Sequence, residues 1–168
     1  MAMLKLHTSL TLTTSDTQKN MSSTILKIIP TNPSYVPDKV NQNKARIYLD
    51  KFYQDNEIDF ATTETIEFVD QGENFECVSC NFCGHNIGIE YWQSTMDKAY
   101  EKQFTDLEFT TLCCNKKTSL NDLIYHLSAG FAKFVMTISD PQNELSEKDF
   151  KGLKEILGTT LRNIWAHY

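Results

Sequence analysis

Arginine is scarce in this chain, which has only Arg46 and Arg162 among its 168 residues. Arginine is the side chain that most often binds phosphate and guanine through paired hydrogen bonds. Acidic residues outnumber basic residues by 22 to 16, and the formal net charge is −6. Both observations argue against a nucleic-acid-binding surface, and the negative charge favours a basic protein as the partner.

Long apolar runs and recognisable targeting signals are also missing from the sequence. No run predicts a membrane-spanning helix, and no charged segment followed by an apolar run and a cleavage site opens the chain. The chain has neither a glycine-rich phosphate loop nor the sharp turn that presents a catalytic serine. We therefore expect no membrane partner. The five cysteines are clustered and odd in number, which indicates metal binding in a reducing cytoplasm rather than a disulfide framework.

The hydrophobic pattern predicts a single α+β domain over residues 21–168, with residues 1–20 as an extension or an extra N-terminal strand. Strands are predicted at 24–30, 64–70, 106–114, 129–139 and 161–168, and helices after Asp38, from Ile89 and after Ser146. Their order predicts a largely antiparallel sheet with helices on one face and a ferredoxin-like β-α-β unit at the end. Segments 75–90 and 110–118 are predicted to form an inserted zinc module.

The first cysteine segment is "CVSCNFCGH", residues 77–85. Zinc thiolate sites use turns in which a C-x-x-C pair is followed by a residue that tolerates the left-handed conformation, preferably glycine. Two such pairs overlap here, and we favour Cys80 with Cys83 over Cys77 with Cys80 because Gly84 follows Cys83. Cys77 is then interpreted as a small buried apolar side chain.

The second cysteine segment is "LCCN", residues 112–115. Cys114 precedes Asn115, which tolerates the left-handed conformation, so Cys114 is the better ligand of the pair. Thr111 stands where the first cysteine of a second C-x-x-C would stand. The fourth ligand is open among three residues, preferred in the order Cys113, His85 and His126. Iron–sulfur ligation would require a different cysteine spacing.

The segments "FVDQGENF", "CNFCG", "DLEFTTLCCN", "TSLNDLIY", "AGFAKF" and "LGTTLRNIWAHY" resemble an uncharacterised family of small bacterial proteins with a C-P-x-C-G turn followed by a P-C-C-G segment. The resemblance covers residues 65–168 and implies that the shared thiols are Cys80, Cys83, Cys113 and Cys114. This chain departs from the pattern at Asn81, Leu112 and Asn115, which replace the two prolines and the second glycine. The family has no established activity, so the resemblance supports the site alone.

A zinc ion closed in by four thiolates is a poor Lewis acid, so the sequence predicts a structural zinc. The leading interpretation is a zinc-stabilised binding module, which could neutralise a basic partner as toxin-blocking immunity proteins do. One alternative is an enzyme that uses an open zinc or a cysteine thiolate, with Asp122 or His126 as the general base. A further alternative is a nucleic-acid-binding zinc ribbon, aided by Lys116 and Lys117.

Overall fold

The structure, a computed structural model, describes residues 23–72 and 77–168. The elements before the cysteine segments are β1 (Thr24–Pro30), α1 (Lys39–Leu49) and β2 (Ile58–Val69). The middle of the chain contains β3 (Val78–Ser79), β4 (Asn86–Ile87), α2 (Ile89–Glu101), β5 (Glu108–Thr110), β6 (Lys117–Ser119), a 3₁₀ turn (Leu120–Asp122) and β7 (Ile124–Tyr125). The last elements are β8 (Gly130–Ser139), α3 (Glu147–Leu157) and β9 (Leu161–His167). The predicted extension or strand at residues 1–20 lies outside the described residues.

Four long strands form the main sheet in the order β2-β8-β1-β9, and all neighbouring strands are antiparallel. At the centre, Ile28 of β1 lies opposite Met136 of β8 on one side and Asn163 of β9 on the other. The units β1-α1-β2 and β8-α3-β9 therefore interleave, which is the ferredoxin-like arrangement. The prediction of an α+β fold with a largely antiparallel sheet is confirmed. The ferredoxin-like arrangement also includes the first half of the chain.

Helices α1 and α3 cover one face of this sheet. Side chains two residues apart on a strand point to the same face, and those at helical spacing share one side of a helix. The strands contribute Leu26, Ile28, Phe134, Met136 and Ile138 to the first core, and the helices contribute Ala45, Leu49, Leu153 and Leu157. All nine side chains are fully buried. This first core holds the helices on the sheet without any residue of the cysteine segments.

Capping residues set where α1 and α3 begin. The side chain of Asp38 accepts a hydrogen bond from the Asn41 N–H at 2.8 Å. Ser146 Oγ accepts one from the Asp149 N–H at 3.2 Å. Gly158 ends α3 with φ 69°, a left-handed conformation that glycine adopts without steric cost. The predicted starts of both helices and the glycine end of α3 are confirmed.

The residues between β2 and β8 form a second structural layer with its own core. This module contains the small sheet β4-β3-β7, the pair β5-β6 and helix α2. Its core gathers Trp92, Phe104, Leu120 and Tyr125 with residues of the main sheet. Phe131 of β8 packs on Phe68 of β2 with ring centroids 5.0 Å apart. The second core therefore attaches the module to the end of the two strands from which it emerges.

Several predicted element boundaries are wrong. The strand predicted at 64–70 begins already at Ile58, and the strand predicted at 106–114 is limited to Glu108–Thr110. Helix α1 ends at Leu49, so Phe52, three residues further along its apolar spacing, lies beyond it and is 42% exposed. On α2, Tyr100 stands four residues after Met96 in the apolar spacing and is nevertheless 71% exposed.

None of the helices in the described part of the chain is both long and apolar enough to pass through a lipid bilayer.

Candidate metal centre

The first cysteine turn follows β3 and is closed by its own backbone. The Cys80 N–H donates to the His85 carbonyl at 2.9 Å, and the Gly84 N–H donates to the Cys80 carbonyl at 2.9 Å. Gly84 has φ 71°, which turns the chain back toward β4. A Cβ at Gly84 would meet no atom within 4 Å, so glycine is needed here for its backbone conformation rather than for space.

The second cysteine turn repeats the same hydrogen bonds between β5 and β6. The Thr111 N–H donates to the Lys116 carbonyl at 2.9 Å, and the Asn115 N–H donates to the Thr111 carbonyl at 3.0 Å. Asn115 has φ 55°, as expected for the residue that takes the place of glycine. The second turn therefore places Thr111 where the first has Cys80, and Cys114 where the first has Cys83.

The two turns bring four sulfur atoms together. The Sγ atoms of Cys80, Cys83, Cys113 and Cys114 all lie within 4.8 Å of one another. Cys80 Sγ is 3.7 Å from Cys114 Sγ, and Cys83 Sγ is 3.4 Å from Cys113 Sγ. Tetrahedral zinc with Zn–S bonds of about 2.3 Å needs sulfur atoms about 3.8 Å apart. The four thiols can therefore hold a metal ion with little movement.

Thr111 explains why two adjacent cysteines contribute to one site. Its hydroxyl lies 3.2 Å from Cys114 Sγ and accepts a hydrogen bond from the Lys116 N–H at 3.2 Å, and the side chain is 1% exposed. The position that supplies a thiol in the first turn thus holds a hydroxyl in the second. Cys113, which corresponds to Phe82 of the first turn, supplies the fourth sulfur instead. The backbone of an ordinary C-x-x-C turn is kept, and only the ligand position has moved.

Hydrogen bonds and burial act in opposite directions on the Cys80 thiol. Burial raises its pKa, whereas N–H groups of Phe82 and Cys83 lower it, and the net effect is a pKa of about 6. The Phe82 N–H lies 3.4 Å from Cys80 Sγ. A hydrogen bond to Cys83 and burial raise the pKa of Cys113 to about 12. The first turn thus stabilises a thiolate, while crowding of the sulfur atoms keeps a proton on Cys113 in the metal-free protein.

The four sulfur atoms differ in their access to solvent, and side chains tie the two turns together beside them. Cys80 is buried and Cys114 half-buried, whereas Cys83 and Cys113 are exposed. Thr118 of β6 donates to Asn81 Oδ1 at 2.9 Å. The Lys116 ammonium group lies 4.9 Å from the centre of the Phe82 ring. These two contacts join the turns beside the sulfur atoms.

The remaining residues predicted for the site lie apart from the sulfur group. His85 contributes its backbone carbonyl to the first turn, and its ring is not in the group of ligand atoms within 4.8 Å. His126 is also outside that group, and its N–H donates to the Cys77 carbonyl at 3.0 Å. Asp122 is exposed at the end of the 3₁₀ turn. Cys77, expected to be buried at a strand end, is half-buried just before β3.

The chain matches no protein-family model, no curated protein and no solved structure.

Proposed function

We propose that this chain is a binding module in which one structural zinc ion, held by Cys80, Cys83, Cys113 and Cys114, fixes the two turns. The observation that carries the proposal is the group of four sulfur atoms within 4.8 Å, contributed by two turns of matching backbone. Sulfur-only tetrahedral sites suit zinc or iron. When bound, zinc would supply a rigid link between the turns.

Elemental analysis of the protein purified under reducing conditions tests the identity of the metal. We expect about one zinc ion per chain and a colourless protein, because zinc has a filled d shell. A red protein that contains iron would show that the bound metal is iron rather than zinc. A metal-free protein in which all thiols are alkylated without loss of fold would overturn the metal site itself.

A structural role is favoured over a catalytic one because four sulfur ligands leave no position for water or substrate. Asp122 and His126, the predicted general bases, are outside the sulfur group. Metal analysis of Cys83→Ser and Cys113→Ser variants separates the two roles. If the site is structural, both variants should lose zinc, and their cysteine turns should become less ordered. A folded Cys113→Ser variant with zinc still tightly bound would favour an open, catalytic site.

The net charge of the whole chain supports a basic protein partner. The chain carries −6, and one zinc ion with four thiolates would bring the net charge to −8. Negative surfaces attract basic partners and speed their association, as in complexes of immunity proteins with toxins. The proposal includes a reducing cytoplasm as the location of the protein, because thiols persist there. It also includes membership of the small bacterial family that the sequence resembles.

Affinity capture from a native lysate tests the binding role. We expect a stoichiometric protein partner that is basic and is released by salt, since screening weakens contacts between surface charges. Capture of nucleic acid, or steeply salt-dependent binding of single strands or duplexes by the purified protein, would favour the zinc-ribbon alternative. The capture of no partner under any condition would count against a binding role.

A further inference from the structure

A groove of about 800 Å³ lies between strand β2 and the end of helix α2. Its floor is apolar: Ile66 and Phe104 are nearly buried, and the half-buried side chains of Phe68 and Met96 form its sides. Phe68 is held by Trp92, Tyr125 and Phe131, whose ring centroids lie within 6.0 Å of its own. The groove therefore has a rigid apolar wall rather than a collapsible one.

The groove follows the open edge of the main sheet. Four consecutive residues of β2, 65–68, line it. Thr65 and Ile66 lie in the stretch where the register of β2 against β8 shifts, and Glu67 and Phe68 lie where regular pairing resumes, so the groove spans the end of this irregular stretch. In the described residues β2 pairs only with β8, so this edge has no strand beside it. Backbone groups on an open edge are a template for an added extended segment.

The rim of the groove is acidic and carries no ion pair of its own. Glu67 and Glu101 line it, both are exposed, and neither forms an ion pair among the residues that the structure describes. The C-terminal end of α2, which carries partial negative charge, lies at the same place. The nearby Lys102 lines a different pocket and pairs with Asp106 at 2.7 Å. The groove is therefore suited to a positive group.

The backbone at the end of α2 is held in a costly conformation at this groove. Gln103 and Phe104 have φ of 53° and 55°, unusual for residues with a Cβ and rare for a bulky one. This conformation buries Phe104, whose ring lies 5.2 Å from that of Phe131. It also leaves Tyr100 71% exposed above the groove, with its ring 5.8 Å from that of Phe104. The aromatic rim thus stands open to solvent.

We infer that this groove is the surface on which the protein binds its partner. Its occupant is a short extended segment of a partner protein, in which a large apolar side chain stands next to a lysine or arginine. The apolar side chain would enter between Phe68 and Met96. The basic side chain would meet Glu67 and Glu101, and the backbone of the segment would lie along β2. The inference rests on the proposed binding function and names the part of the surface that performs it.

Selection from a displayed library of random short peptides against the zinc-loaded full chain tests this inference. We expect peptides that combine an aromatic or large aliphatic residue with adjacent basic residues. Synthetic peptides of the selected sequence should lose affinity by about tenfold or more in the Glu67→Lys/Glu101→Lys variant and in Tyr100→Ala, because they remove the opposite charge and an exposed ring.

Matched control variants change exposed residues elsewhere by the same chemistry. Glu57→Lys/Glu155→Lys makes the same double charge reversal away from the groove, and Ile47→Ala removes an exposed apolar side chain from α1. Both should alter peptide affinity by less than about twofold. Peptides without basic residues, an equal loss in the control variants, or the recovery of no peptide would each overturn the inference. Self-association that disappears in the Glu67→Lys variant would overturn it in favour of a second copy.

The lysate capture distinguishes failure of the groove from failure of the binding function. If the groove variants capture the same partner as the unaltered chain in the same amount, the groove is not the docking surface and the binding function stands. If no variant and no unaltered chain captures a partner, the function itself fails.

Discussion

Thr111 is the residue that makes this candidate metal centre unusual, because the second turn keeps the backbone of a C-x-x-C pair without its first cysteine. The matching hydrogen bonds place Thr111 at the position of Cys80, with its hydroxyl 3.2 Å from Cys114 Sγ. A thiol at position 111 would therefore point toward the same sulfur group. The ligand role of Cys113 should be transferable to position 111.

The Thr111→Cys/Cys113→Ser double variant tests that transfer. We expect Cys113→Ser alone to weaken zinc binding by about tenfold or more, because it removes one of four thiolates, and the double variant to recover most of that loss. Competition with a chelator measures both affinities. Cys77→Ser is the control and should bind zinc like the unaltered chain. A double variant no better than Cys113→Ser would show that the two turns are not equivalent.

Acid should release the metal progressively. Every thiol that is protonated in the metal-free protein must lose its proton when zinc binds, and each such thiol lowers the affinity by about tenfold for each pH unit below neutrality. Cys113, whose pKa is raised to about 12, is one of these thiols. Below a pH of about 6 the Cys80 thiolate also takes up a proton, and the fall should steepen. Chelator competition across this range measures the slope. An affinity that does not change with pH would contradict thiolate ligation.

Spacing and turn chemistry were sufficient to select the four cysteines that the structure brings together. Gly84 indicated the pair of overlapping cysteines that the structure places in the sulfur group, and Asn115 indicated a turn at the second pair. The contacts of Lys116 with Phe82 and of Thr118 with Asn81 had no such signal, because they depend on how the two turns meet in space.

At the scale of the element, the left-handed residue of each turn determines how firmly the turn is held. Asn115 adopts φ 55° at a steric cost that glycine would not have, whereas Gly84 adopts φ 71° freely. The two turns thus make opposite predictions for reciprocal substitutions.

We expect Gly84→Ala to destabilise the zinc-loaded protein by about 1 kcal/mol, and Asn115→Gly to change its stability little or to raise it. The loss in Gly84→Ala is a backbone effect, since a Cβ there meets no neighbour within 4 Å. Denaturant unfolding monitored by far-UV circular dichroism measures both. Gly84→Asn provides a control at the same position, because asparagine tolerates the left-handed conformation better than alanine does. Equal losses in Gly84→Ala and Gly84→Asn would contradict the argument.

The ends of the elements show where sequence patterns stop being informative. Ser146 and Gly158 mark α3 in the sequence because capping depends on local hydrogen bonds. The sequence at the end of α2 contains no comparable capping signal. Its apolar pattern continues to Phe104, and the helix stops at Glu101 because burial of Phe104 in the second core outweighs the cost of two left-handed residues. That balance is tertiary and cannot be seen in the local sequence.

Because the molecule has two cores, loss of the metal should destabilise one part of it more than the other. The first core lies between the main sheet and the helices α1 and α3 and contains no cysteine, whereas Cys80 belongs to the second core and Cys114 packs against it. Removal of zinc should therefore loosen the module while the sheet persists.

Amide hydrogen exchange with and without a chelator tests this division. We expect the N–H groups of Cys80, Gly84 and Asn115 to exchange about 100-fold faster or more without metal, because their turns lose the link between them. Those of β1 and β9 should change little. Equal acceleration in both layers would show a single cooperative unit.

The fold class could be predicted because amphipathic periodicity is local, whereas strand order could not. The alternation in β1 and β8 identifies each as a strand but does not say that Ile28 lies opposite Met136. The ferredoxin-like character was evident for the closing unit, where β8, α3 and β9 follow one another. The pairing of β1 with β9 could not be predicted from the sequence and is seen only in the structure.

Among the residues that the structure describes, the main sheet has no tight hairpin: β1 pairs with β8 and β9 near the far end of the chain, and β2 reaches β8 only across the whole module. Such long-range closures slow the search for the native state, and their entropic cost grows with the length of the intervening loop. An ion that joined the two cysteine turns would shorten that loop before the sheet closes. Because halving a loop lowers its closure cost by only about 0.6 kcal/mol, metal bound during synthesis would speed the closure of β2 on β8 by about threefold, apart from any effect on the finished protein.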